Sequence, residues 1–162
     1  MRILITGSSG QIGTNLGLKL LERGDEVVGI DLRKNTWTQR IPSVTCDLNT
    51  VPPGDLPVTG SFDVVVHLAA HAKVFELVQQ PHRAMENIET CFRVLEFCRR
   101  HGTPLIFGSS REVYGDIHRH VTEEAAADFV RSGGERAVIA ELAQGLAALR
   151  GEVGTTLTKE TG

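Results

Sequence analysis

Ile3-Leu4-Ile5-Thr6-Gly7-Ser8-Ser9-Gly10-Gln11-Ile12-Gly13 is the stretch on which the reading of the fold turns. Three aliphatic residues make a short buried strand, and a glycine-rich turn follows at once. Beyond it Ile12, Leu16 and Leu20, with Leu18 and Leu21 beside them, form an apolar helical face that Gly24 stops. A strand feeding such a turn, and the turn feeding a helix, points backbone N–H groups and the positive helix end at a diphosphate. Gly7 permits the tight turn, Gly10 lets a diphosphate approach the backbone, and Gly13 lets helix and strand pack closely. The spacing is G-x-x-G-x-x-G, wider than the G-x-G-x-x-G fingerprint. Within this run the expected cofactor contacts are Gly7, Ser9, Gly10, Gln11, Ile12 and Gly13.

The next signal lies downstream. Val27-Val28-Gly29-Ile30 is a second strand, and it ends on Asp31, 18 residues beyond Gly13. A carboxylate there can accept both ribose hydroxyls of an adenosine, and it repels a 2′-phosphate. NAD is therefore expected over NADP. Leu32 and Arg33 extend the same contact region, and the positive charges of Arg33 and Lys34 weaken the preference.

Strand and helix then alternate. Ser43 to Cys46 reads as a short strand, and Pro52, Pro53, Gly54, Pro57 and Gly60 mark a loop. Asp63-Val64-Val65-Val66-His67 is continuous and β-branched, as parallel strands covered on both faces are. Pro81 to Arg100 is a long helix, with Ile88, Cys91, Val94, Leu95 and Cys98 at helical spacing and His101-Gly102 closing it. Leu105-Ile106-Phe107 is the next strand. The predicted fold is α/β: a Rossmann-type doubly wound parallel sheet with helices on both faces, without a complete C-terminal substrate domain. Residues 1–130 are expected to form the NAD-binding domain. Residues 131–162 are expected to be an atypical helix, Ala137 to Leu149, and a tail with a weak strand at Val153 to Thr158, completing or capping that domain.

Composition narrows the function classes. A chain of 162 residues, 41% hydrophobic and 23% charged, is an ordinary globular domain. Its 17 basic against 20 acidic residues leave a net charge of −3, with no basic stripe for nucleic acid. The three cysteines, Cys46, Cys91 and Cys98, lack metal-ligand spacing, so no metal site is expected, and Cys91 and Cys98 read as core thiols. No segment has the apolar length of a membrane span, and the opening apolar run is only strand-length. A cytoplasmic setting is expected, with no membrane partner.

Taken in order, Thr6-Gly7-x-x-Gly10-x-x-Gly13, Asp31, Cys46-Asp47-Leu48, His67-Leu68-Ala69-Ala70 and Gly108-Ser109-Ser110-x-x-Val113-Tyr114-Gly115 resemble the extended short-chain dehydrogenases. More narrowly, the chain resembles the NAD-dependent epimerase/dehydratase group, whose members mostly act on nucleotide-linked sugars. The resemblance covers roughly residues 1 to 130. It implies that Asp47 and Leu48 flank the adenine, that Leu68, Ala69 and Ala70 line the ribose side, and that Asn87 supports the cofactor pocket. It adds Ser109 to the cofactor contacts and gives Ser110 the role of holding the reacting hydroxyl. It also implies a nucleotide-sugar or sugar substrate and a homo-oligomer, most simply a dimer pairing the long helices.

One part of the family pattern is missing. Catalysis there uses a Tyr-x-x-x-Lys pair, in which the lysine lowers the tyrosine pKa and holds the nicotinamide ribose. This chain has one tyrosine, Tyr114, which belongs to the Val-Tyr-Gly motif, and its only lysine beyond Lys73 is Lys159. The expected place of the pair reads Arg131-Ser132-Gly133-Gly134-Glu135-Arg136-Ala137. Two readings stay open. One is an NAD-binding protein with little or no activity as this chain alone. The other is an active epimerase, dehydratase or dehydrogenase using a partner chain or a substitute acid/base, for which His118, His120 and Glu123 are the candidates. Residues 131–162 are expected to be a natural truncation, a frame change or a replacement sequence, three readings that stay open.

Overall fold

The computed structural model of the chain describes residues 1–109, 136–139, 147, 150, 152 and 155–158, with the Val74 side chain outside that set. The chain divides into two compact units, Met1–Gly108 and Ser109–Gly162.

The first unit is built on five parallel strands: β1 (Arg2–Thr6), β2 (Glu26–Asp31), β3 (Ser43–Thr45), β4 (Val64–His67) and β5 (Leu105–Phe107). Their order across the sheet is β3-β2-β1-β4-β5. The chain winds outward from β1 through α1 (Gln11–Glu22) to β2, and later from β4 through α2 (Val74–Gln79) and α3 (His82–His101) to β5. Right-handed crossovers running in opposite directions place α1 and α3 on opposite faces. The expected doubly wound sheet is therefore present. The order reverses between β1 and β4, where Thr6 lies opposite His67. Such a reversal opens a crevice at the carboxyl ends of the strands, the usual ligand site of these sheets.

Burial follows the strand patterns. Ile3, Leu4, Ile5, Ile30 and Val65 are wholly buried. Leu4, Ile30, Leu48, Leu56, Phe62, Val65, Val94, Phe97 and Cys98 form one core cluster.

The helices depart from the sequence expectation in an instructive way. The buried side of α1 is Gly13, Thr14, Gly17 and Leu20, whereas Ile12 is exposed. Small residues let α1 pack closely: a Cβ on Gly17 would sit 2.6 Å from the side chain of Ile41, just before β3, and 3.7 Å from Ile5 of β1. On α3 the buried residues are Thr90, Val94, Phe97 and Cys98. Ile88 and Leu95, expected on the core face, are exposed together with Met85 and Phe92. The helix thus carries two apolar stripes, and only one meets the sheet. Cys98 is buried and Cys91 half-buried.

In the second unit, β6 (Arg136–Ile139) pairs antiparallel with β7 (Thr155–Thr158). The strand expected near Val153 to Thr158 is present as β7, but the helix expected from Ala137 does not start there, because Ala137, Val138 and Ile139 belong to β6. Val138 and Ile139 are β-branched and lie opposite Thr156 and Thr155. The antiparallel ladder with β7 holds these residues as strand in spite of the high helix propensity of alanine.

Candidate dinucleotide-binding site

The crevice is built first by backbone. Gly7 has φ +75°, and a Cβ there would lie 2.7 Å from the Ala69 nitrogen and the Leu68 carbonyl carbon. The β1–α1 turn and the strand end after β4 are therefore in backbone contact. A Cβ on Gly13 would run into the Gly7 carbonyl oxygen and come within 2.9 Å of Ser8 Cα. Gly10 differs: its Cβ would meet only the Gly7 oxygen, at 3.3 Å. Gly7 and Gly13 serve the turn itself, and Gly10 faces open space. It is also the N-cap of α1, and no side chain caps the helix. The first-turn N–H groups of Gln11, Ile12 and Gly13 are thus left to a ligand.

Asp31 is almost wholly buried. Its Oδ2 accepts the Ser9 N–H at 2.9 Å and its Oδ1 the Arg33 N–H at 2.9 Å. An ionised carboxylate offers about four acceptor positions, so two remain for a diol while the backbone bonds hold the group still. Ser9 Oγ donates to the Arg33 carbonyl at 2.8 Å, closing the turn onto the chain after β2.

Behind the turn stands a residue that the sequence reading missed. Asn35 donates to the Ser8 carbonyl at 3.2 Å and to Thr14 Oγ1 at 2.8 Å, and its own oxygen accepts the N–H groups of Trp37 and Thr38. The signal was an Asn four residues after the acid, where Asx-type turns form. Its partners lie 21 and 27 positions away in sequence.

A cleft of about 530 Å³ opens from this turn. Gly7, Gly10, Asp31, Leu32, Arg33, Asp47, Leu48, Leu68, Ala69, Ala70 and Asn87 all line it. The tertiary fold therefore brings together eleven of the expected cofactor residues from five separate stretches. Leu48 is at the same time a core residue. Asn87 accepts the His71 N–H at 2.8 Å and donates to the His71 carbonyl at 3.2 Å, tying α3 to the segment after β4. Thr90 donates to Asn49 at 2.9 Å and ties α3 to the Asp47 loop. Ser9, Gln11, Ile12 and Gly13 belong to the turn without lining the cleft, and Ser109 follows β5 as an exposed residue. Ser110 and the substitutes His118, His120 and Glu123 lie outside the described residues.

The cleft also holds Cys46, His71, Ala72, Lys73, Glu76, Arg83 and Glu86, none of which the sequence singled out for a site. Burial, with the Asp47 carboxylate beside it, pushes the Cys46 thiol up, so it stays protonated and is no nucleophile near neutral pH. Among the described residues no group of three or more His, Cys, Asp or Glu could hold a metal ion. No helix of the described residues is long and apolar enough to cross a membrane.

Under the crevice, Thr6 Oγ1 and His67 Nδ1 are 2.6 Å apart, both side chains buried. Burial lowers the His67 pKa from 6.5 to about 4. The unfolded chain takes up this proton below about pH 6.5, while the folded chain resists it down to about pH 4. Stability from this group is therefore complete above the unfolded value and falls as pH drops through that window. Between pH 7 and pH 5 the loss is expected to be about 2 kcal/mol. Urea unfolding at the two pH values measures it. The His67→Gln variant should lose this part of the slope, and an unchanged slope would remove His67 as its source.

The comparisons with known proteins bear on this geometry. The sequence model of the NAD dependent epimerase/dehydratase family matches residues 3–132. The chain belongs to the NAD-dependent epimerase/dehydratase family. A UDP-glucose 4-epimerase of Corynebacterium glutamicum is 33% identical over 122 residues, which are 72% of this chain and 37% of that protein. Among solved structures, a UDP-galactose 4-epimerase superposes with a TM-score of 0.66 at 29% identity, covering 81% of this chain and 52% of the other. MoeE5, solved in complex with UDP-glucose and NAD, gives a TM-score of 0.63 at 28% identity, covering 73% and 39%. This family member thus spans between about a third and a half of the length of such relatives. NAD is the cofactor of the family, and the cleft fits it on chain-specific grounds: the open side of Gly10, the uncapped α1 terminus and the spare acceptor positions of Asp31.

Proposed function

We propose that this chain binds NAD in the cleft at the β1–β4 switch point and, by itself, has little or no catalytic activity. The observation that carries the reading is Asp31, a buried carboxylate pinned by two backbone N–H groups at the edge of the cleft. The diphosphate would lie over Gly10 and the first turn of α1, the ribose diol on Asp31, and the adenine between the Asp47–Leu48 loop and α3. Bound there, NAD would supply a hydride acceptor. The chain's own described residues would bind and orient it, and none of them is placed as the family's tyrosine acid/base.

The Asp31→Ala variant tests the assignment. Calorimetric titration of the parent should show tighter binding of NAD than of NADP. The variant should weaken NAD by about tenfold to a hundredfold, through two lost hydrogen bonds to a charged acceptor, and should narrow the difference between the cofactors. A parent that prefers NADP would instead make Arg33 the deciding residue.

The same reading carries a nucleotide-sugar substrate class and a homodimer. The exposed stripe of Met85, Ile88, Phe92 and Leu95 on α3 supports the latter, since contiguous apolar surface of this kind is ordinarily covered. Sedimentation should show self-association at rising concentration that the Ile88→Glu/Phe92→Glu variant lacks. A parent that stays monomeric throughout would reject the dimer.

A further inference from the structure

The outer wall of the cleft is held differently from the rest of it. Residues 71–80 lead from the end of β4 to the start of α3, between two fixed points. At one end the His71 peptide is clamped by Asn87, and at the other Pro81 caps α3. Between them α2 exposes Phe75 and Val78 at 72% and 73%, and Leu77 is only half-buried. Among its described side chains, apolar burial therefore contributes little to holding this helix.

Charge holds it instead. Glu76 pairs with Lys73 Nζ at 2.8 Å and with Arg83 Nη1 at 2.7 Å, the latter reaching from α3. His71 Nε2 lies 2.8 Å from Glu86, also on α3. The Lys73 hydrogen bond keeps the Glu76 carboxyl below the usual carboxylate range, and Arg83 adds to this, so the latch is charged at neutral pH. His71, Lys73 and Glu76 line the cleft from this segment, and Arg83 and Glu86 line it from α3. Pairs with this much water around them hold weakly and are screened by salt. Beyond the Asn87 clamp at its start, a wall held by such pairs opens locally well before the core does.

We infer that residues 71–80 form a gate on the cleft, hinged at His71, which Asn87 and Glu86 hold to α3, and latched by the Glu76–Arg83 pair, through which the dinucleotide enters and leaves. The inference rests on the NAD reading of the cleft. The glycine turn and Asp31 set what is bound, and the latch sets how fast it comes and goes.

Hydrogen exchange read by mass spectrometry on the ligand-free chain tests the latch without any cofactor. Glu76→Gln and Arg83→Met should each speed exchange of the amides in 71–80 by about three- to tenfold, with β1 and β4 unchanged. The double variant should exchange no faster than Glu76→Gln, because both changes remove the same contact. In stopped flow, NAD release should quicken in the same variants, and high salt should quicken release from the parent more than from Glu76→Gln. Unchanged exchange in both single variants overturns the gate, as does multiplicative acceleration in the double or an unchanged NAD release rate. A flat NAD titration of the parent is a separate result: it overturns the NAD reading, while an exchange pattern that still follows the pairs identifies the latch.

Discussion

Replacing Gly10 by valine is expected to abolish NAD binding, by a hundredfold or more, in a chain that still folds. Gly10 has φ −75° and ψ 169°, a backbone conformation that any residue adopts. Inside the protein a Cβ there would meet only the Gly7 carbonyl oxygen, at 3.3 Å, a contact that a small shift relieves. The branched side chain would instead stand over the first-turn N–H groups of α1. Two hydrogen bonds to a charged diphosphate, at about 1.5–3 kcal/mol each, would be lost, which is a hundredfold or more in affinity. Gly13→Ala makes the contrast. Its single added carbon falls on the Gly7 carbonyl oxygen and near Ser8 Cα, all backbone. The turn would have to open, with an expected loss of about 3 kcal/mol of stability along with binding. Calorimetry beside chemical denaturation separates the two classes. Parent-like NAD affinity in Gly10→Val would show that the diphosphate lies elsewhere.

The second large effect concerns rate. With UDP-glucose or a related nucleotide sugar and NAD, the chain alone is expected to turn over at least about 10²–10⁴-fold more slowly than a complete relative assayed beside it, the contribution of a placed acid/base. Tyr114 is the single tyrosine of the sequence. The fourth position after Tyr114 is His118 and not a lysine, and Lys73 is paired with Glu76. A Tyr-x-x-x-Lys pair works because one helical turn brings its members together. The stretch where it is expected ends at Ala137, which belongs to strand β6. Loss of the lysine also loosens the nicotinamide ribose, and positioning is itself worth several kcal/mol. Family-level turnover by the parent would overturn the expectation. Turnover that disappears in His118→Ala would make His118 the substitute acid/base.

How much of this was legible beforehand divides along a physical line. Local pattern alone was enough for β1, the glycine turn, α1 and Asp31, because each depends on neighbours a few residues away. A strand needs its aliphatic run, a tight turn its glycine, and an acid at a strand end needs only to follow the strand. The same holds for β4 and β5 and for the parallel sheet that their alternation with helices implies. What sequence could not supply were choices made between distant segments. Residues at helical spacing on α3 give two apolar stripes of similar strength, and only contact with the sheet selects Val94, Phe97 and Cys98 over Met85, Ile88, Phe92 and Leu95. Asn35 looks like an ordinary polar loop residue until the fold brings Ser8 and Thr14 to it, and Asn87, marked only by the family resemblance, finds its partner in the His71 peptide. The short helix α2 has no periodicity to announce it and is held by ion pairs that include Arg83 on the next helix. Ala137 to Ile139 take strand geometry because Thr155 to Leu157 lie opposite them. Helix and strand propensities differ by less than about 1 kcal/mol per residue, so wherever two local readings compete, the partner that tertiary structure supplies decides between them.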